Sequence, residues 1–191
     1  MKGRVEKVVA HGKDKLFRFR WFRLFPFFGF TLYNVPMTVY TRKINYHETD
    51  KMGITHHSNY IKFMEEARVQ YLEEIGMPFD EVERKGIGSP VVGLDIEYKS
   101  PTEFADILEI EVKVLGYNGL KLEIGYMMKN KKTGALCVTA HSRHCFLKEG
   151  KLYNFKRAAD PYDELMQKAL EEDTGETNHN HPSNGWFALS L

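Results

Sequence analysis

The residues best suited to chemistry lie close together between positions 46 and 60. This segment holds a carboxylate at Asp50, a turn at Gly53, and then the run His56-His57-Ser58-Asn59 where a helix is predicted to begin. Unpaired N–H groups at a helix start can stabilise an oxyanion, and a nearby carboxylate can act as a base or nucleophile. The segment therefore predicts attack on a carbonyl carbon, although an aspartate is also common in turns for structural reasons.

Three other kinds of site are less consistent with the same residues. His47, His56 and His57 could bind a metal together with Glu48 and Asp50, but no pair of histidines has helical i, i+4 spacing and no HExxH motif occurs. A histidine could also serve as a general acid or base, or orient the loop by hydrogen bonding. A Ser-His-Asp hydrolase is not indicated, because the G-x-S-x-G motif is missing. We therefore expect neither a metal nor a cofactor.

The elements that must position this segment follow from the hydrophobic pattern. Residues 38–46 are rich in β-branched and aromatic side chains and predict a strand. Ser58 is a plausible N-cap for a helix that runs to Ile75 and ends before Gly76. The buried face of this helix is marked by apolar residues at three- and four-residue steps: Tyr60, Phe63, Met64, Ala67, Tyr71, Leu72 and Ile75.

The rest of the chain reads as strands joined by tight turns, so antiparallel pairing is expected. Asn118-Gly119 is the strongest hairpin signal, because both residues tolerate positive φ. The pattern predicts an α+β domain with an antiparallel sheet wrapped around one long central helix. Further predicted elements are a helical turn at 79–85, strands near 87–99, 105–117, 120–129 and 135–148, and a last short helix from Asp160-Pro161 to about Leu170.

Composition indicates one soluble domain with terminal extensions. The chain has 191 residues, of which 42% are hydrophobic and 28% are charged. Residues 1–36 hold eight Lys or Arg and two acids, a net charge of +6, which leaves −5 on residues 37–191. The acidic body gives no electrostatic reason to expect nucleic-acid binding. Cys137 and Cys145 stand too far apart in one predicted strand for a disulfide, which favours free thiols and a cytoplasmic location.

The chain ends differ from its body. Eight of the fourteen residues from 17 to 30 are Phe or Trp, interleaved with arginines. This leader, residues 1–36, is either a basic aromatic segment that contacts a membrane surface or a dispensable extension before Met37. The domain is expected over 37–170, and the polar tail 171–191 is expected to be disordered.

One motif resembles a known family. The run Tyr46-x-Glu48-Thr49-Asp50-x-x-Gly53-x-x-x-His57-x-Asn59-Tyr60 is followed by Phe63-x-Glu65-x-Ala67-Arg68. Together they resemble the 4-hydroxybenzoyl-CoA thioesterase-like family of hot-dog fold acyl-CoA thioesterases. The resemblance covers about residues 37–156 and includes Tyr98-Lys99-Ser100-Pro101.

The resemblance implies hydrolysis of acyl-CoA to a free acid and CoA, with water as second substrate. Asp50 matches the family's catalytic carboxylate, as general base or as nucleophile, and the N–H of His57 matches the group that polarises the thioester. Gly53 stands at the motif's glycine. Another subclass carries its carboxylate on the helix, which keeps Glu66 as a minor candidate.

The same resemblance implies binding roles and partners. Tyr46, Asn59 and Tyr60 would shape the loop and the acyl pocket, while Lys99 and Arg143 are candidates for the CoA phosphates. A five- or six-stranded sheet would pair with that of another protomer, in a homodimer or homotetramer with active sites at the interface. Two alternatives stay open: an acyl-carrier-protein thioesterase, and a non-catalytic module that binds acyl-CoA.

Overall fold

The computed structural model describes residues 39–175, and every structural statement below concerns that part of the chain. Eight strands and three helices follow one another there, in an order close to that predicted. They are β1 (Val39–Lys43), α1 (Asn59–Glu74), α2 (Phe79–Arg84), β2 (Ile87–Gly88), β3 (Val91–Tyr98), β4 (Ile107–Tyr117), β5 (Lys121–Asn130), β6 (Leu136–Cys145), β7 (Leu147–Lys148), β8 (Lys151–Leu152) and α3 (Tyr162–Thr174).

The main sheet has five antiparallel strands in the order β1-β4-β5-β6-β3. Alternate residues of β4 and β5 are buried and pack with the apolar stripe of α1. A smaller sheet joins β2, β7 and β8. This antiparallel sheet with a long helix on one face confirms the predicted α+β architecture.

The predicted end of α1 is also confirmed. The helix stops at Glu74, and Gly76 then takes a φ of +89°, which favours glycine. The N–H of Met77 bonds the carbonyl of Leu72 at 2.8 Å, so one of the last helix carbonyls is satisfied.

The first strand is shorter than predicted. It ends at Lys43, because Ile44 bonds the backbone of Ala105 and Asp106, and residues 46–48 then form a 3₁₀ turn. Tyr46 therefore lies outside the strand. The predicted strand 87–99 is likewise two strands, since Pro90 has no N–H to donate and β2 and β3 join different sheets.

Two predictions about polar residues are confirmed in position. Ser58 is the N-cap of α1, but its side chain makes no capping hydrogen bond; its Oγ lies 2.8 Å from Nδ1 of His56. The β4–β5 hairpin turns at Asn118-Gly119, where only Gly119 has positive φ and the side chain of Asn118 accepts hydrogen bonds from two later N–H groups at 3.0 and 2.8 Å.

The last helix is longer than predicted, so disorder from residue 171 onward is wrong for 171–174. Asp173 accepts hydrogen bonds from the hydroxyl of Tyr71 at 2.5 Å and from the N–H of Val114 at 2.8 Å. β1 pairs with residues 107–111 of β4, so Val114 lies where β4 has no neighbouring strand on that side. The bond from Asp173 satisfies the N–H of Val114, and α3 thus protects this part of the sheet edge. The leader 1–36 and residues 176–191 lie outside the described residues.

Both cysteines lie in β6 as predicted, and both thiols are free. Among residues 39–175, no helix is long and apolar enough to cross a membrane.

Candidate active site

Asp50 lies in a tight reverse turn shortly before α1. Its carbonyl accepts the N–H of Gly53 and its own N–H donates to the carbonyl of Ile54, both at 2.9 Å. Gly53 has a φ of +80°, and a Cβ at this position would meet no atom within 4 Å. The glycine is therefore favoured by its backbone conformation, as expected for the predicted turn.

The carboxylate of Asp50 is only partly engaged. Oδ1 accepts a hydrogen bond from the N–H of Met52 at 2.8 Å, which orients the side chain. Within the described residues, Oδ2 has no hydrogen bond. One oxygen thus holds the group in place while the other can take a proton from water or attack a carbonyl carbon.

The carbonyl of Glu48 connects the beginning of the Asp50 loop (residues 49–58) to the end of that loop and to the start of α1. The carbonyl oxygen of Glu48 accepts hydrogen bonds from the N–H of His56 and from Nδ2 of Asn59, both at 2.8 Å. Asn59 is buried. Its role is therefore to hold the loop from within the protein.

The backbone at His57 suits the predicted role in polarising a carbonyl. In the described part of the chain the N–H of His57 has no hydrogen-bond acceptor, and it lies two residues before Asn59, the first residue of α1. The carbonyl of His57 accepts a hydrogen bond from the hydroxyl of Tyr98 at 3.2 Å, which ties the helix start to β3. The His57 ring itself is exposed, so the backbone is the better candidate.

A buried hydroxyl network supports the loop from below. Thr102 is fully buried, and its Oγ1 lies 2.7 Å from Oγ1 of Thr55 and 2.9 Å from the hydroxyl of Tyr60. The carbonyl of Thr102 also accepts the N–H of Thr55 at 2.7 Å. Burial raises the pKa of Tyr60, so the phenol stays neutral and hydrogen-bonded. Tyr60 thus supports the loop and does not face solvent.

An exposed aromatic pair borders the loop. Tyr46 is 77% exposed and Phe104 is 53% exposed, and their rings meet edge to face with centroids 5.7 Å apart. Met52 in the loop is also largely exposed. These side chains form an apolar surface beside Asp50 that could receive an acyl group.

The two candidates for CoA phosphates are each paired with an acid. Lys99 follows Tyr98 at the end of β3 and forms an ion pair with Glu97. Arg143 bonds Asp95 at 2.6 Å, on the sheet face opposite to that of the buried His144. Since Asp95, Glu97 and Lys99 stand two residues apart, the two ion pairs lie on the same face of the sheet, opposite to the face that packs against α1.

Glu66 is held away from the Asp50 loop. It accepts a hydrogen bond from the hydroxyl of Tyr40 at 3.0 Å, and Nε of Arg42 lies 3.5 Å from the same oxygen. Both partners belong to β1. Among residues 39–175, no group of three or more His, Cys, Asp or Glu is placed to hold a metal ion.

Three residues of this site had no role assigned from the sequence. Thr102 and Arg42 give no local signal, because their partners are separated from them along the chain. Tyr98 was part of the quoted motif, and its position three residues before Pro101 was the only sign that it mattered.

The fold and the loop define a class of protein, and comparisons with known proteins agree. The structure resembles that named "DHNA-CoA Thioesterase from Staphylococcus aureus", with a TM-score of 0.68 and 27% identity over 73% of this chain and 95% of that one. The five-stranded antiparallel sheet with its long helix is a hot-dog fold.

The family follows from the sequence match. A family model described as "Thioesterase-like superfamily" matches residues 44–170. The protein named "Putative acyl-CoA thioesterase YneP" of Bacillus subtilis (strain 168) is 35% identical over 129 residues, 66% of this chain and 93% of that protein. "Acyl-CoA thioester hydrolase YbgC" of Escherichia coli O6:H1 is 28% identical over 48% of this chain and 65% of its own length. The chain belongs to the thioesterase-like superfamily.

Proposed function

We propose that this protein is an acyl-CoA thioesterase that hydrolyses the thioester to a free carboxylic acid and CoA. The observation that carries the proposal is the Asp50 carboxylate, which is oriented through one oxygen in a loop that also holds His57, just before α1. The N–H of His57 has no acceptor among residues 39–175. These are the two groups that acyl transfer requires, a base or nucleophile and an oxyanion donor. The names of YneP and YbgC support a CoA thioester as substrate.

The reaction can be written with Asp50 as the general base. Asp50 takes a proton from water as the water oxygen attacks the thioester carbon, and the His57 N–H donates to the oxyanion that forms. Collapse of this intermediate breaks the C–S bond, and the proton on Asp50 passes to the departing CoA sulfur. Direct attack by Asp50 would instead give a mixed anhydride that water then hydrolyses.

Substrate binding is assigned to residues around the loop. Tyr46, with Phe104 beside it, would contact the acyl group, and Gly53, Asn59 and Tyr60 would keep the loop in shape. Lys99 and Arg143 would meet the CoA phosphates, and each would exchange its acidic partner, Glu97 or Asp95, for a phosphate group.

The partner is a second copy of the chain, in a homodimer or a homotetramer. β3 is an edge strand of the main sheet and pairs only with β6 in the described residues. Val91 and Val92 on this edge are exposed, and an exposed apolar edge is suited to pairing with another strand. Sedimentation of the purified protein tests this, and a monomer that retains full turnover would contradict it.

A cytoplasmic location and a CoA carrier complete the proposal. Two free thiols are compatible with a reducing compartment, although they do not define one. An acyl-carrier-protein thioesterase is the alternative, and the −5 charge of residues 37–191 gives no electrostatic attraction for an acidic carrier. Turnover of matched acyl groups on CoA and on carrier protein distinguishes the two.

The decisive experiment is thiol release from a panel of acyl-CoAs by the wild-type protein and by Asp50→Asn. We expect kcat to fall at least ~100-fold in the variant, in line with general acid–base catalysis. Asp80→Asn, at an exposed position on α2, is the control and should keep wild-type kcat. Near-normal turnover by Asp50→Asn would refute the role of Asp50. Tight acyl-CoA binding without turnover in the wild type would favour a binding module.

A further inference from the structure

Glu48 and Arg42 form a buried ion pair directly before the Asp50 loop. We propose that Glu48, held by Arg42, is a positioning residue that fixes Asp50 relative to the N–H of His57. This inference rests on the proposed function, since it concerns the geometry of those two groups. Glu48 itself contacts neither the substrate nor the reacting atoms in this proposal.

The side chain of Glu48 is tied to two rigid parts of the fold. Oε1 accepts a hydrogen bond from Nη2 of Arg42 at 2.7 Å, and Oε2 accepts one from the N–H of Asn45 at 2.7 Å. The side chains of Arg42 and Glu48 are only 10% and 8% exposed. Arg42 belongs to β1, and its guanidinium carbon lies 3.7 Å from the centre of the Phe63 ring on α1. The carboxylate is therefore fixed with respect to both the sheet and the helix.

The backbone carbonyl of Glu48 contacts the Asp50 loop and the start of α1. It accepts the N–H of His56 and Nδ2 of Asn59, the two bonds that fasten the loop to the helix start. Asp50 follows Glu48 by two residues, and His57 follows His56 directly. A displacement of Glu48 would therefore move the carboxylate and the oxyanion donor relative to each other.

Stability alone is a weak explanation for this ion pair. Burial pushes the pKa of Glu48 upward, but the Asn45 N–H and the Arg42 guanidinium outweigh that effect and hold the pKa below its usual value. Glu48 is thus a charged group with little access to water. A buried ion pair of this kind is often no more stabilising than apolar residues in the same space, and fixing one geometry is its best-attested use.

The test is Glu48→Gln, which keeps the size of the side chain and an acceptor for Asn45 but removes the charge that holds Arg42. Misplacement by about 1 Å can cost ~100-fold in rate, so we expect kcat to fall about 10- to 100-fold with KM changed less than about threefold. In an Asp50→Asn background the same substitution should cost much less, because the position of an absent carboxylate no longer matters.

The matched control is Asp163→Asn. Asp163 is as buried as Glu48 and accepts a hydrogen bond from the hydroxyl of Tyr117 at 2.8 Å, far from the Asp50 loop in the fold. This variant should have a lower melting temperature than the wild type. Its kcat should be unchanged when the variant and the wild type are assayed well below their melting temperatures. A Glu48→Gln variant that behaves in the same way overturns the proposal.

A measurement that does not depend on catalysis can test the positioning role of Glu48 separately from the proposed thioesterase activity. Hydrogen exchange at the amide of His56 should be faster in Glu48→Gln than in the wild type and unchanged in Asp163→Asn, because that amide bonds the carbonyl of Glu48. If Asp50→Asn keeps full activity, the catalytic assignment fails, while faster exchange at His56 still supports the positioning. Unchanged exchange at His56 in Glu48→Gln overturns the inference whatever the rate.

Discussion

Thr102 shows how a side chain outside the reacting groups determines the local structure around them. It is fully buried, and its hydroxyl joins Thr55 in the Asp50 loop to Tyr60 in the first turn of α1. A buried hydroxyl that loses its partner is costly, because it cannot bond water instead. The side-chain oxygen of Thr102 contacts both other hydroxyl groups of this network, so its loss would weaken both.

We expect Thr102→Val to lower the free energy of unfolding by ~1–3 kcal/mol, since valine has the same shape but cannot hydrogen-bond the buried hydroxyls of Thr55 and Tyr60. Chemical denaturation followed by circular dichroism measures the change. Thr139→Val is the control, because Thr139 is a partly exposed position on β6. Equal stabilities for the two variants would show that the network contributes nothing.

At the level of single residues, local spacing predicted where the candidate residues lie along the chain. Asp50, Gly53 and His57 fall in one loop and Asn59 begins the helix that follows, as expected from their spacing. Their catalytic and binding roles stay predictions. The bond between Thr55 and Thr102 joins residues 47 positions apart, so no local pattern could have indicated it.

At the level of elements, α1 and the sheet enclose a polar group that a core seldom contains. His144 on β6 is almost fully buried, and its Nε2 lies 2.8 Å from Oγ of Ser142. Burial, together with the positive charge of Arg68 on α1 and the nearby His141, lowers the pKa of His144 to about 4, although the backbone of Ser89 acts in the opposite direction. The imidazole is thus neutral in the folded protein at neutral pH.

This lowered pKa makes stability depend on pH. The unfolded chain takes up a proton on His144 below about 6.5, whereas the folded chain does so only near 4, so folding opposes protonation between these values. The free energy of unfolding should therefore fall as pH drops from about 6.5 to 4, by up to about 3 kcal/mol from this group. Urea denaturation at several pH values measures the slope.

The variant His144→Gln should reduce this slope, because it removes the titrating group. Thr139→Val, which removes no titratable group at a partly exposed position on β6, should leave the slope as in the wild type. If both variants keep the wild-type pH dependence, other groups account for the loss of stability in acid.

The elements themselves were largely predictable, and their ends were not. The long helix and the antiparallel order follow from periodicity and turn residues that act locally. The end of β1 and the length of α3 depend on partners elsewhere in the fold, such as the bond from Val114 to Asp173, whereas Pro90 was a local sign of the division between β2 and β3. The secondary-structure propensities of a segment do not indicate which distant residues it will contact.

At the level of the whole molecule, the chain is longer than the domain that its relatives share. The family match spans residues 44–170, and 129 residues of this chain suffice to cover 93% of YneP. Residues 1–36 lie outside that match and carry a net charge of +6 with eight Phe or Trp between positions 17 and 30. The catalytic groups proposed above all lie outside the leader.

Removal of residues 1–36 should therefore leave kcat and KM for a short, soluble acyl-CoA within about twofold of the full chain, since no proposed catalytic group is lost. Binding to vesicles is a separate measurement, because each Lys or Arg near an anionic surface can contribute about 1 kcal/mol. Sedimentation with phosphatidylserine vesicles should show binding of the full chain and not of the truncated one if the leader contacts membranes, and no binding of either if it is dispensable. A truncated protein that folds but loses turnover would show instead that the leader belongs to the active domain.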